Sequence, residues 1–188
     1  MKKIHYLLAC SIVLAFLSSG CGTAYKVIVD ERSVRTQASD EKITLAIRKK
    51  IADSDQAKFF DVSTSCYDGD VYLVGEYETL AHKKEAVKLA RSVEGVKSVT
   101  EYFLKKKKDD FCGTTDNLGL VAKLKAKLIK DTDIWSTNIQ IKTVQCHLVL
   151  LGFVGSRIEI QKAIEHAKSV PKVRGVKSFL RVAPKQSK

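Results

Sequence analysis

Several signals are missing from this 188-residue chain, and each absence removes a class of function. There is no glycine-rich loop of the kind that cradles phosphate, which argues against nucleotide chemistry. No cysteine or histidine pair stands at zinc-ligand spacing. Nor do an acid, a base and a nucleophile converge in any pattern that suggests a reacting centre. His82 and His166 fall in helical stretches without matching each other across the repeat described below. His147 adjoins Cys146 on a strand, where neighbouring side chains point to opposite faces. Composition and spacing therefore predict a binding protein, with no catalytic residue, no metal and no cofactor.

A membrane-spanning run is missing too. The apolar stretch from Ile4 to Leu17 falls short of the ~20 residues needed to cross a ~30 Å hydrocarbon core, and Ser18 and Ser19 follow at once. With Lys2 and Lys3 before it and small residues after it, this stretch has the three-part layout of a bacterial export signal. Leu17-Ser18-Ser19-Gly20-Cys21 resembles the lipobox of bacterial lipoproteins, in which the cysteine becomes the diacylated and then N-acylated first residue of the mature chain. Leu7-Leu8-Ala9-Cys10 has a similar pattern but would leave almost no apolar core ahead of the cut. Each buried methylene contributes ~0.8 kcal/mol, so several acyl chains on Cys21 make a durable anchor. Such lipoproteins are held at the inner membrane by an aspartate after the cysteine; Gly22 stands there instead, which implies the periplasmic face of the outer membrane.

The net charge of +12 falls to +10 when Lys2 and Lys3 leave with an acid-free leader. Nucleic acid is the usual partner of a basic protein, but an exported, lipid-tethered chain rarely meets it. Anionic headgroups are the nearer polyanion. Beyond Cys21, the chain carries Cys66, Cys112 and Cys146 into an oxidising compartment. One disulfide with a spare thiol and three buried free thiols both remain open.

Shifting the sequence by 77 positions lays residues 43–93 on residues 120–170 without a gap, so that Gly75 meets Gly152 and Ala86, Ala90, Ser92 and Val93 meet Ala163, Ala167, Ser169 and Val170. That agreement signals duplication. A three-residue insertion around Pro171 to Val173 is expected to set Gly95-Val96-Lys97-Ser98 against Gly175-Val176-Lys177-Ser178. Ile43, Ile47 and Ile51, like Leu120, Leu124 and Leu128, recur at four-residue steps and predict one buried helical face per copy. Residues 61–66 and 138–143 alternate with period two, and Val71 to Gly75 and Leu148 to Gly152 read as buried central strands. Asp68-Gly69 predicts a tight hairpin between them, whereas Gln145-Cys146 predicts a looser turn in the second copy. A second helix spans about residues 80–93 and 157–170, with Ser156 and Glu159 at capping-box spacing. A last strand, over about 96–104 and 176–182, should lie parallel to the second by the handedness of strand-helix-strand units.

The expected class is α+β: two tandem αββαβ units, each a three-stranded mixed sheet with two helices on one face. This order, with a hydrophobic-Gly pair closing the second strand and Gly-Val-Lys-Ser-Val opening the third, resembles the BON domain (bacterial OsmY and nodulation). Two such units behind a lipobox resemble the dual BON-domain outer-membrane lipoproteins of the DolP type, as does Asp30-Glu31-Arg32-Ser33. The expected boundaries are a signal peptide over 1–20, a lipidated tether over 21–40, domains over 41–105 and 115–183, a lysine-rich linker over 106–114 and a tail over 184–188.

Lys123, Lys127 and Lys130 share one face of the second copy's first helix, with Ile134 and Trp135 directly after it. Tryptophan favours the bilayer interface, and lysines near an anionic surface contribute ~1 kcal/mol each. The resemblance implies that this helix binds anionic phospholipid. It also implies a role in outer-membrane integrity, with Trp135 in place of an aromatic that relatives carry near the helix start, where this chain has Leu118-Gly119. The alternative function is an adaptor for an envelope assembly or secretion complex, meeting protein partners through its sheet faces or edges. Mass spectrometry of the native N-terminus tests the first step of this reading: it should find Cys21 carrying fatty acyl chains of the palmitate class, and an unacylated terminus would refute the anchor.

Overall fold

Isoleucines at four-residue steps turn one face of α1 (Val34–Asp53) inward, where Ile43, Ile47 and Ile51 are buried. The computed structural model describes residues 34–55, 61–108 and 110–183; the leader, Cys21 and residues 22–33 lie outside them. After α1 come β1 (Val62–Tyr67) and β2 (Asp70–Tyr77), paired antiparallel, then α2 (Leu80–Arg91) and β3 (Ser98–Lys105), which runs parallel to β2. The second copy repeats the order with α3 (Thr114–Lys130), a short 3-10 turn (Ser136–Asn138), β4 (Ile139–Val144), β5 (His147–Val154), α4 (Arg157–Lys168) and β6 (Gly175–Val182). The apolar strands β2 and β5 are central, in the orders β1-β2-β3 and β4-β5-β6. The class is the expected α+β, although α1 starts at Val34, inside the stretch expected to be tether.

Two expectations are corrected. No insertion interrupts the second copy. Asp70 pairs with Ser98 and His147 with Gly175, so the offset of 77 runs unbroken into the last strand. The left-handed turn residue Gly95 (φ +86°) is matched by Lys172 (φ +72°), a side chain where the first copy has none. The sequence likeness of the two Gly-Val-Lys-Ser segments is therefore out of structural register.

The second hairpin is also as tight as the first. Tyr67 pairs with Asp70 across Asp68-Gly69, and Val144 pairs with His147 across Gln145-Cys146. All four turn residues have positive φ, which suits a two-residue hairpin and is unfavourable for Gln145 (φ +47°) and Cys146 (φ +59°). Tertiary bonds hold them there. The Asn117 side chain accepts from the Cys146 N–H at 3.1 Å, the Cys146 carbonyl accepts from the Arg174 N–H at 2.9 Å, and Gln145 Nε2 donates to the Lys105 carbonyl at 2.9 Å. In the first copy Asp40, at the position of Asn117, accepts from the N–H groups of both Asp68 and Gly69.

Alternation along each strand divides the core in three. Val71, Leu73 and Cys66 face α1 and α2, while Leu148, Leu150 and Leu180 face α3 and α4. The opposite faces meet each other: Tyr67, Tyr72 and Val74 pack with Val144, Val149 and Leu151, giving layers in the order helix, sheet, sheet, helix. Tyr67 lies edge-on to Phe153 at 6.2 Å, and Tyr72 sits 5.5 Å from Phe179. At the margin of this seam the Arg181 guanidinium bonds Asp70 at 2.6 Å and the Tyr67 carbonyl at 3.1 Å. Burial alone would raise the Asp70 pKa, but the Ser98 hydroxyl and Arg181 outweigh it and hold the carboxyl below its usual range.

The matched glycines close each hairpin's far end. A Cβ on Gly75 would run into the Asp61 carbonyl, and one on Gly152 (φ +130°) into the Asn138 carbonyl; both obstacles are backbone. Gly119, within α3, has nothing within 4 Å of an added Cβ. Urea unfolding should show Gly75→Ala and Gly152→Ala losing about 2–4 kcal/mol each. Gly119→Ala should gain about 0.5–1 kcal/mol, because it only removes chain entropy from the unfolded state. Equal effects at the three positions would contradict the described packing.

Candidate membrane-contact site

The leucines of α3 decide what its other faces can do. Leu120, Leu124 and Leu128 are buried, so residues off that stripe point away from the core. Lys123 and Lys130 are exposed and Lys127 half-buried, all on one row, and none of the three enters an ion pair among the described residues. Leu118, Ala122, Lys125 and Ile129 form a second row, in which Leu118 and Ile129 are exposed apolar side chains.

Acids that would have neutralised this helix are engaged elsewhere. Asp131, the residue that ends α3, takes the His166 ring at 2.8 Å and Lys162 at 3.6 Å, while Asp133 takes Lys162 at 2.5 Å. Hydrogen bonds from His166 and then from the Asp133 N–H hold the Asp131 carboxyl below the usual carboxylate range. Charge is also unevenly shared between the copies. Residues 34–105 hold 12 basic and 12 acidic side chains, whereas residues 114–183 hold 12 and 5, a surplus of +7.

Both ends of α3 are clamped. At its start Cys112 and Cys146 form a disulfide across a separation of 34, leaving Cys66 outside that bond as a buried thiol, hydrogen-bonded to Asp40 at 3.1 Å. The Asp110 carboxylate accepts from the Cys112 N–H at 3.0 Å and pairs with Arg174 at 2.5 Å, and these contacts lower its pKa in that order. Asp116 returns to accept from the Gly113 N–H at 3.2 Å, opening the helix. At the far end the histidine and lysine of α4 grip Asp131, as above.

The structure separates Ile134 from Trp135. Ile134 is 6% exposed and packs in the core of the second copy, so it cannot meet a bilayer and leaves the candidate set. Trp135 is 54% exposed, and its backbone N–H donates to the Glu159 carboxylate at 3.3 Å. That carboxylate is thus diverted from the expected capping box, of which only the bond from the Glu159 N–H to the Ser156 hydroxyl forms, at 3.2 Å. Sequence reading missed Phe111, which is 91% exposed three residues before α3, and the pair Leu118 and Ile129. The phase of the latter two, off the buried stripe, was a usable signal; Phe111 offered none. Among the described residues no group of histidine, cysteine and carboxylate side chains could hold a metal, and no helix is long and apolar enough to cross a membrane.

Two αββαβ units, doubled within one chain, define a tandem BON architecture, and the BON domain profile matches residues 39–104 and 116–184. The chain belongs to the BON domain family, as a dual BON-domain protein of the DolP type. It is 28% identical over 187 residues to the outer membrane lipoprotein DolP of Haemophilus influenzae, covering 97% of this chain and 95% of that one. It is 31% identical over 144 residues to osmotically-inducible protein Y of Escherichia coli (strain K12), covering 76% and 72%. Among solved structures, CdsD, a structural protein of the type III secretion system of Chlamydia trachomatis, shares 13% identity at a TM-score of 0.34 over 77% of this chain and 94% of its own.

Closing a loop of this length, the disulfide stabilises the fold by about 3–4 kcal/mol in the chain-entropy account. Reduction should therefore lower the urea midpoint substantially. Cys112→Ser/Cys146→Gly should retain about 1 kcal/mol more than Cys112→Ser/Cys146→Ala, since glycine adopts the positive φ without penalty. Identical midpoints for the two double variants would show that the turn conformation at residue 146 does not survive without the bond.

Proposed function

We propose that this chain is a non-enzymatic, lipid-anchored periplasmic protein of the outer membrane that binds anionic phospholipid through the exposed side of α3 and supports outer-membrane integrity. The observation that carries this reading is the row Lys123, Lys127 and Lys130, uncompensated by any carboxylate among the described residues, beside the exposed apolar Leu118 and Ile129. Ammonium groups flanking apolar side chains are suited to a bilayer interface: the chains enter the headgroup region while the lysine stems reach phosphate. Phe111 before the helix and Trp135 after it supply an aromatic side chain at each end. The surplus of +7 in the second copy adds a longer-range attraction that the balanced first copy lacks.

Support for location comes from the relative whose name is outer membrane lipoprotein DolP, alike over 97% of this chain. It agrees with the lipobox at Cys21. A helix clamped at both ends meets the surface already ordered, so association costs less conformational entropy than binding by a loose segment.

At ~1 kcal/mol per lysine, the three together correspond to roughly a hundredfold in affinity. A soluble form starting after Cys21 should bind phosphatidylglycerol vesicles more tightly than phosphatidylcholine vesicles, and less tightly as salt rises. Lys123→Gln/Lys127→Gln/Lys130→Gln should weaken that binding by about ten- to a hundredfold. Trp135 is the single tryptophan, so its emission should shift to the blue on binding. Unchanged affinity in the triple variant would place the lipid contact on another face.

A further inference from the structure

The first copy carries a surface that the membrane reading leaves unused. Between α2 and β3 runs a groove of about 640 Å³, lined by the apolar Leu80, Val87 and Val99, the cations Lys83, Lys84, Lys88 and Arg91, and Glu101 of the strand. Its size lies within the range of ligand-binding clefts. Leu80 is an exposed large apolar side chain, and Val87 and Val99 are only partly buried.

We propose that this groove docks an acidic, partly apolar peptide segment of a partner protein. Charge complementarity is the first argument. Lys83 is satisfied by Glu101 at 2.6 Å and Lys88 by Glu85 at 3.5 Å, but Lys84 and Arg91 enter no ion pair among the described residues. Four cations thus border the apolar side chains, against Glu101 in the lining and Glu85 beside Lys88, in a copy whose charges balance as a whole, 12 against 12. The positive field there is local, suited to a partner already in contact and not to a broad anionic sheet.

Shape is the second argument. The residues lining the groove from Leu80 to Arg91 follow one side of a twelve-residue helix, about 18 Å long, which accommodates about five residues of extended chain. An alternating acidic and apolar segment would set carboxylates toward Lys84 and Arg91 and aliphatic side chains toward Val87 and Val99. Divergence between the copies is the third. At the positions of Lys83, Lys84 and Lys88 the second copy has Ile160, Gln161 and Glu165, with Ile160 and Ile164 packed against its core. Of the four cations only Arg91 keeps a basic counterpart, Lys168, so three of the groove's four positive charges belong to the first copy and are not a by-product of the fold.

The expected partner surface is also constrained by the sandwich. The helix-free sheet faces are buried against each other, so a protein contact through those faces is closed.

The test uses the full chain in phosphatidylcholine nanodiscs and a fluorescein-labelled ten-residue peptide alternating glutamate with leucine, read by anisotropy. Saturable binding is expected, with the glutamine-for-glutamate peptide about tenfold weaker or more. Lys84→Glu/Arg91→Glu should abolish binding, and the milder Lys84→Gln/Arg91→Gln should weaken it about tenfold, both with unchanged unfolding midpoints. The α3 triple lysine variant should bind the peptide as the parent does, which separates this site from the membrane face. Equal affinity for the charged and uncharged peptides, indifference to both groove variants, or displacement of the peptide by phosphatidylglycerol vesicles would each overturn the proposal, the last in favour of a headgroup site.

Discussion

The central strands β2 and β5 are apolar on both faces, and that property constrains the rest of the molecule. Val71 and Leu73 point one way along β2, while Tyr72 and Val74 point the other; Leu148 and Leu150 oppose Val149 and Leu151 along β5. Each copy contributes two helices to one side of its sheet, enough to cover one face. The remaining faces would expose a broad aromatic and aliphatic patch to water, and burying a side chain of this size is worth about 1.5–3 kcal/mol. They cover each other instead. The polar contacts Arg181 to Asp70 and Ser65 to Gln140 lie in the same seam and fix which residues meet.

Duplication supplied two copies of a frame in which position, not residue type, carries the role. The residue seven places into α1 accepts from the hairpin turn as Asp40, and its counterpart does so as Asn117. Thr79 and Ser156 cap the second helices in the same way. Where the second copy abandons a glycine in its hairpin, at Cys146, a covalent bond to Cys112 and a carbonyl bond from Arg174 hold the unfavourable backbone. With the frame preserved, the surfaces diverged: a cationic groove on α2 in one copy, a cationic and apolar helix face on α3 in the other. The two surfaces differ in chemistry because side chains off the buried stripe are not bound by packing.

Much of this was open to reading in one dimension. The four-residue steps of Ile43, Ile47 and Ile51, and of Leu120, Leu124 and Leu128, report burial directly because a helix face is a local periodicity. The lysine row on α3 was visible for the same reason. Ile134 was misassigned because it follows the helix, where no period says which way a side chain turns. The register beyond Pro171 was misread because four residues in a row matched; the strand ladder, not the likeness, decides the pairing.

Local periodicity and duplication thus determined the element order, the strand polarity and the helix faces, since each depends on residues close in the chain. Contacts between distant residues decided the rest. Only the folded chain could choose the Cys112–Cys146 bond over the pairings with Cys66, tighten a Gln-Cys turn, bury Ile134 and join the two sheets. Those outcomes depend on which surfaces meet, and the energy of a meeting is written in neither partner alone.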